Sequence, residues 1–285
     1  MFSVKIKNII LTLICLMLIF SMAYEPAVNV ISTAAKPSVR LPIIMYHHVL
    51  KEPRKLGKYI VSPKEMESDI IYLKQHGYTT VVMEDLINFV YNKGELPEKP
   101  IMLTFDDGYY SNYVYVLPLL EKYDCKAVIS ITGDYIDKST AEGELNPAYS
   151  YLTWDLVKKL VESDHVEIQN HSYGMHEICE RKGCAIIKGE SYDEYSKNML
   201  NDVGKFQDVI EEKTGGYRPT TFTYPYGFIC LECNEVLQKM GFLATLSCYE
   251  GVNVLTGKKE ELFELKRFNR PSGISQKKFF NKFDE

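Results

Sequence analysis

The 285-residue chain has one tryptophan, Trp154, no surplus of basic residues, no evident internal repeat and only one long apolar run. Each shortage removes a class of protein. Against 38 Asp and Glu stand 33 Lys and Arg, a formal charge of −5, so the positive excess that grips a phosphate backbone is missing and no nucleic-acid partner is expected. Low-complexity sequence is also missing after residue 40. With 46% hydrophobic and 25% charged residues, the composition excludes disordered and fibrous chains and can bury a large core.

The long apolar run, Ile9 to Phe20, follows Lys5 and Lys7 and precedes Ser21-Met22-Ala23. It is short for a relaxed membrane span and lacks the polar face of a one-sided core helix. Residues 1–23 therefore read as an export signal, with an uncleaved anchor as the alternative and as the chain's sole expected membrane contact. Cys15 lacks the small preceding residues that a lipid anchor would want. Residues 24–40, with Pro26, Pro37 and no periodicity, read as a linker. A single domain is expected over 41–285.

Export favours oxidised cysteines. Once Cys15 leaves with the signal, Cys125, Cys179, Cys184, Cys230, Cys233 and Cys248 remain, an even set that points to disulfides. The pairs Cys179-x4-Cys184 and Cys230-x-x-Cys233 also admit a four-thiolate zinc site. Disulfides are favoured.

From Leu41 onward, strand-like and helix-like segments alternate. Leu41–Tyr46 is an apolar strand. Ser62-Pro63-Lys64-Glu65 is a capping box with Pro at the first helical position, which predicts a helix from Pro63 to His76. Strands follow at Tyr78–Val82, Pro100–Phe105, Lys126–Thr132, His165–Gln169, Thr220–Tyr224, Phe242–Ser247 and Leu262–Phe268. Helices fall at Glu84–Asn92, Tyr113–Tyr123, Thr153–Ser163, Asp193–Lys213 and Cys230–Met240. This alternation predicts an α/β domain with a largely parallel sheet, either a barrel or an open doubly wound sheet. Both place chemistry at the carboxyl ends of strands, and His47, Asp106, Asp107, His171 and Tyr226 all fall at such ends.

In Thr104-Phe105-Asp106-Asp107-Gly108 an apolar strand breaks at a glycine, so two adjacent carboxylates can turn into one site although they would oppose each other on a strand. One can bind a metal while the other handles a proton. His171 and His176 lie five apart, off the helical spacing that stacks ligands, so they require a loop, for which Gly174 supplies freedom. An Asp with two His leaves coordination positions open for water and substrate. The donors suit Zn²⁺ best and accept Co²⁺ or other first-row ions. Thr223-Tyr224-Pro225-Tyr226-Gly227 has an irregular backbone suited to wrapping a sugar or offering an N–H to an oxyanion. A histidine at Met45-Tyr46-His47-His48 can protonate a leaving amine.

Taken in order, these segments from Leu41 to Arg270 resemble the polysaccharide deacetylases of carbohydrate esterase family 4, the NodB-homology domain, whose hallmark is TFDDG followed by paired histidines. His47 ahead of the aspartates, and the five-residue His spacing, look most like the branch that deacetylates poly-N-acetylglucosamine. The resemblance implies a distorted (β/α) barrel and a secreted or envelope-associated hydrolase of amide bonds, acting on an acetylated polysaccharide. It further implies Asp106 as base, Asp107, His171 and His176 as metal ligands, Tyr226 beside Pro225 as oxyanion donor, and His47 as general acid. Many relatives carry an Arg where this chain has Thr223. Arg267 and Arg270 are the candidates to orient the base instead. Acetylated xylan or peptidoglycan as substrate, and an idle carbohydrate-binding fold, remain the alternatives. A glycosidase using the Asp pair is not expected, because flanking carboxylates stand roughly 5 Å or more apart across a sugar.

Overall fold

The computed structural model describes residues 38–283. The export segment, Cys15 and the linker as far as residue 37 lie outside the described residues. Val39 and Arg40, expected in the linker, already belong to strand β1 (Val39–Leu41), which pairs antiparallel with β11 (Asn253–Leu255).

The sheet is built around β6 (Pro100–Phe105), whose six residues are all buried, the pattern of a central parallel strand covered on both faces. On one side lie β7 (Ala127–Ile131), β8 (Val166–Asn170), β9 (Thr221–Thr223) and β10 (Ala244–Leu246). On the other lie β2 (Ile43–Tyr46) and β12 (Phe268–Asn269), while β5 (Thr79–Thr80) pairs with the start of β6. Every pairing in this eight-stranded sheet is parallel. The curled sheet is the barrel type, and the open doubly wound alternative is set aside.

One short segment spans the two edges of the sheet. Leu265 bridges Leu246 of β10 in parallel, and three residues later Phe268 pairs with Ile44 of β2. Sequence reading predicts one strand over Leu262–Phe268. Leu262 instead closes a 3-10 turn, Lys259–Leu262, and the backbone turns left-handed at Glu264, with φ 60, before the chain reaches the first edge. Lys266 and Arg267 are the residues that cross.

Helix α1 (Pro63–Gln75) starts as its sequence predicts. Ser62 Oγ accepts from Glu65 N at 3.1 Å and the Glu65 carboxylate accepts from Ser62 N at 2.8 Å, which satisfies two otherwise orphan donors. Glu65 also accepts from Ser272 Oγ and Gly273 N at 2.8 Å, tying the helix start to the chain just past β12. Helices α2 (Met83–Tyr91) and α3 (Leu117–Tyr123) follow β5 and β6. Helix α4 (Gly133–Glu142) has no clear sequence signal: it opens on glycine and carries Ser139 and Thr140, poor helix formers. Packing explains the glycine, since a Cβ at Gly133 would meet the Tyr173 ring at 2.5 Å. Helix α5 (Trp154–Val161) precedes β8. The long helix predicted over Asp193–Lys213 is α6 (Tyr192–Met199) and α7 (Lys205–Thr214), joined through a π turn at Leu200–Gly204. Helices α8 (Leu231–Lys239) and α9 (Gln276–Phe280) complete the set.

All six described cysteines are free thiols, which corrects the disulfide expectation. The four-thiolate zinc site does not form either: among the described residues the metal-competent group is Asp107, His171 and His176. The reason is directional. Cys179 is exposed on a tight turn beside Glu177 and Arg181, whereas Cys184 is fully buried.

Candidate active site

The carboxyl end of β6 delivers the two aspartates. Asp106 still belongs to the sheet through its N–H to the Tyr46 carbonyl at 3.1 Å. Asp107 is left-handed, with φ 73, a conformation that Asp tolerates better than most residues. That turn sends the neighbouring carboxylates to different partners within one cavity. Gly108 follows at φ 78, and a Cβ there would meet Ile131 Cγ2 at 2.8 Å. Both backbone sign and space demand glycine.

His171 ends β8, its N–H bonded to the Ile131 carbonyl at 3.0 Å. The loop to His176 is turned by Ser172, at φ 71, and not by Gly174 as its sequence suggests. It is clamped by the Asp202 carboxylate, which accepts from Tyr173 N and Gly174 N, each at 2.8 Å. Two further bonds come from the start of α4, Gly133 N to the Ser172 carbonyl and Asp134 N to the Tyr173 carbonyl. Asp202 lies in the π turn after α6, with no signal in the sequence to single it out.

The three side chains converge. His171 Nε2 and His176 Nε2 stand 3.5 and 3.1 Å from Asp107 Oδ1, and the three ligand atoms all lie within 4.8 Å of one another. Each imidazole is bonded at its other nitrogen. His171 Nδ1 donates to the Thr223 carbonyl at 2.7 Å. Tyr135 Oη lies 3.1 Å from His176 Nδ1 and 3.2 Å from the His176 carbonyl, so it can accept from the ring while donating to the backbone. Both rings are thereby held with Nε2 as the free lone pair, the tautomer a metal ligand needs. Burial pushes the Asp107 carboxyl up, but His171 and His176 override it and hold it far below the usual carboxylate range. A buried anion and two oriented imidazoles fit a divalent first-row ion.

Asp106 has a different partner. Arg267, fully buried, grips it with both ends of its guanidinium, Nη1 to Oδ1 at 2.7 Å and Nη2 to Oδ2 at 2.8 Å. Its Nε donates to the Ser247 carbonyl at 2.7 Å. Burial alone would raise the Asp106 pKa, but Arg267 and His171 bring it below the usual value. Asp106 is therefore ionised at neutral pH. Arg270, the other candidate, is committed elsewhere: its Nε and Nη2 bind both oxygens of buried Asp69, at 2.8 and 2.9 Å.

Of the two histidines after β2, His48 is occupied. Its Nε2 lies 2.8 Å from the Pro147 carbonyl and its ring stacks on Tyr109 at 4.1 Å. His47 lines the cavity with Asp106 and Asp107, and its buried Nδ1 has no hydrogen-bond partner among the described residues. Burial lowers its pKa, which Asp106 and Asp107 partly offset. Tyr226, left-handed at φ 57, follows buried Pro225 and lays its ring against His176 at 4.5 Å. The cavity of about 740 Å³ is walled by Tyr59, Tyr109, Tyr135, Tyr151 and Tyr226. Tyr135 is a residue sequence reasoning misses, since it sits on α4, the helix without a signal.

The family model described as polysaccharide deacetylase matches residues 93–245. The chain is 26% identical over 218 residues to a poly-beta-1,6-N-acetyl-D-glucosamine N-deacetylase of Escherichia coli K12, covering 70% of this chain and 32% of that protein. It thus spans about a third of the E. coli protein. A protein of the same description from Staphylococcus epidermidis is 23% identical over 200 residues, 70% of this chain and 65% of that one. Among solved structures, a de-N-acetylase from Aggregatibacter actinomycetemcomitans superposes with a TM-score of 0.72 at 22% identity, covering 85% of this chain and 99% of that one. IcaB from Ammonifex degensii gives 0.68 at 24% identity, covering 81% and 92%. With the family model covering more than half of its length and its curled parallel sheet shared with these structures, the chain belongs to the polysaccharide deacetylase family.

Proposed function

We propose that this chain hydrolyses the N-acetyl amide of an N-acetylglucosamine-containing polysaccharide outside the cell, releasing acetate and leaving a free amine on the polymer. The observation that carries the reading is the pairing of an ionised, Arg-held carboxylate, Asp106, with an adjacent Asp-His-His cluster on one cavity wall. A divalent ion held by Asp107, His171 and His176, with Zn²⁺ favoured and Co²⁺ accepted, would polarise the acetyl carbonyl and acidify water in the cleft.

The chain's own groups carry the protons. Asp106 takes one from the attacking water; its oxygens accept from Arg267 and keep lone pairs to spare, since a carboxylate offers about four acceptor sites. Arg267 keeps that carboxylate ionised and fixed in direction. The Tyr226 N–H, turned by its left-handed backbone, is the proposed donor to the developing oxyanion. His47 is the proposed acid for the departing amine: it lines the cavity beside Asp106 and Asp107, whose charges offset part of the lowering of its pKa by burial and so favour its protonated form. The tyrosine walls suit sugar rings, which stack on aromatic faces. The poly-N-acetylglucosamine deacetylases among the relatives support that polymer as the substrate, and the signal-like residues 1–23 support action in the envelope or beyond.

The test is acetate release from chitooligosaccharides and poly-N-acetylglucosamine by metal-stripped protein lacking residues 1–23, resupplied with Zn²⁺ or Co²⁺, alongside Asp106→Asn. Metal-dependent release that Asp106→Asn abolishes is expected. Bound metal without release from either polymer would refute the substrate assignment, and failure to bind metal would refute the site.

A further inference from the structure

The motif Cys230-Leu231-Glu232-Cys233 plays no part in the proposed deacetylation, and its surroundings are unlike those of the other cysteines. It opens α8, with Cys230 as N-cap and Cys233 one turn on. The Cys230 N–H donates to Cys233 Sγ at 3.0 Å, and the hydroxyl of fully buried Tyr195 lies 3.0 Å from the same sulfur while it donates to the Cys184 carbonyl at 2.9 Å. Cys233 is fully buried, while Cys230 is half-buried and closer to solvent.

We infer that Cys230 and Cys233 form a thiol–disulfide exchange site, with Cys230 the attacking sulfur, Cys233 the resolving sulfur and a small-molecule disulfide as the oxidant. The spacing puts both sulfurs in the first helical turn, close enough to bridge without moving the backbone far. The Cys230 N–H aimed at Cys233 Sγ stabilises charge as it develops there during resolution. The pKa values fall in the same order: hydrogen bonding from Cys233 brings the Cys230 thiol down to about 6 despite its burial, and Cys230 together with burial pushes Cys233 up. In the first step the Cys230 thiolate attacks one sulfur of the small disulfide, forming a mixed disulfide and expelling one thiolate. In the second, Cys233 loses its proton to solvent and attacks Cys230 Sγ, expelling the other thiolate. Two protein thiols are oxidised and one small disulfide is reduced to two thiols. The third nearby cysteine, Cys184, has its carbonyl 3.8 Å from Cys233 Sγ and is the competing partner among the described residues.

The product and not the rate discriminates, because the gain in thiolate at low pKa is largely cancelled by lower nucleophilicity. Reduced full-length protein is exposed to oxidised glutathione at pH 7, alkylated and cut with trypsin. Cys230 and Cys233 share the fragment Thr214–Lys239 with no other cysteine, since Arg218 precedes Pro219, whereas Cys184 falls in Gly183–Lys188. The expected result is a Thr214–Lys239 fragment two hydrogens lighter and unalkylated, and a glutathione mixed disulfide trapped on Cys230 in Cys233→Ser. A Thr214–Lys239 fragment with both thiols alkylated while exposed Cys179 has reacted, or one joined to Gly183–Lys188, overturns the inference.

Discussion

Replacing Arg267 with methionine tests the base most directly, because it removes the charge and keeps much of the volume. The guanidinium and Asp106 are both buried and make two short, parallel hydrogen bonds. Removing one partner of such a pair strands the other, which costs about 3–5 kcal/mol. Part of that cost is relieved if the carboxyl takes up a proton, and burial works in that direction with Arg267 no longer opposing it. In the parent, the Asp106 pKa is depressed, so its contribution to stability is complete above the unfolded carboxylate pKa of about 3.9 and is lost as pH falls through the lower folded value. In Arg267→Met the acid limb of kcat/KM for acetate release should move up by roughly 1–3 pH units, the size of an Arg effect on a neighbouring Asp. Turnover near pH 6 should fall at least about ten-fold and recover in part towards pH 9. Arg267→Lys keeps the charge without the planar fork and should fall between the two. Circular dichroism and Tm separate loss of fold from loss of base. A folded Arg267→Met with unchanged turnover and an unchanged acid limb would refute the reasoning.

Tyr135→Phe removes the hydroxyl that holds His176 and should weaken Zn²⁺ binding about ten-fold, read by titrating stripped protein against a competing chelating dye; equal affinity in parent and variant would remove Tyr135 from the account. Gly108→Ala forces an L side chain into φ 78 and against Ile131, and should cost about 2–4 kcal/mol in urea unfolding; a loss below about 0.5 kcal/mol would show that the turn adapts. Glu167 on β8 is pushed up to about 7 by burial, with bonds from Glu84 N–H and Gln169 only partly opposing. Its folded pKa lies above its unfolded one, so its stability contribution is complete below about pH 4.3 and fades as pH rises through 7, by up to roughly 3 kcal/mol. Glu167→Gln should therefore flatten the stability profile between pH 5 and 8 relative to the parent, and parallel profiles would contradict this.

Much of the frame is legible because its determinants are local. The Ser62–Glu65 capping box, the apolar run Pro100–Phe105 and the glycine after Asp107 act over a few residues, and the structure has each where its sequence puts it. The errors fall where distant parts decide. Helix α4 is held by Tyr173 and by the His171 loop against its own weak propensity. The segment Leu262–Phe268 carries strand-like residues but must serve two edges. The cysteine spacing says nothing of where Cys179 and Cys184 face.

By itself, then, the sequence determined the alternation of strands and helices, the family, and a short set of polar residues at strand ends, because hydrophobic period, capping and glycine placement are written within a turn or a strand. Tertiary structure alone decided the pairings. Arg267 and Arg270 are three residues apart and chemically identical. Curling of the sheet turns the first onto Asp106, 161 positions away, and the second onto Asp69, 201 positions away. Tyr135 and Asp202 acquire their contacts to the histidine loop in the same way. No local pattern encodes such partners, because their free energy comes from the burial of charges and donors that only the curled sheet brings together.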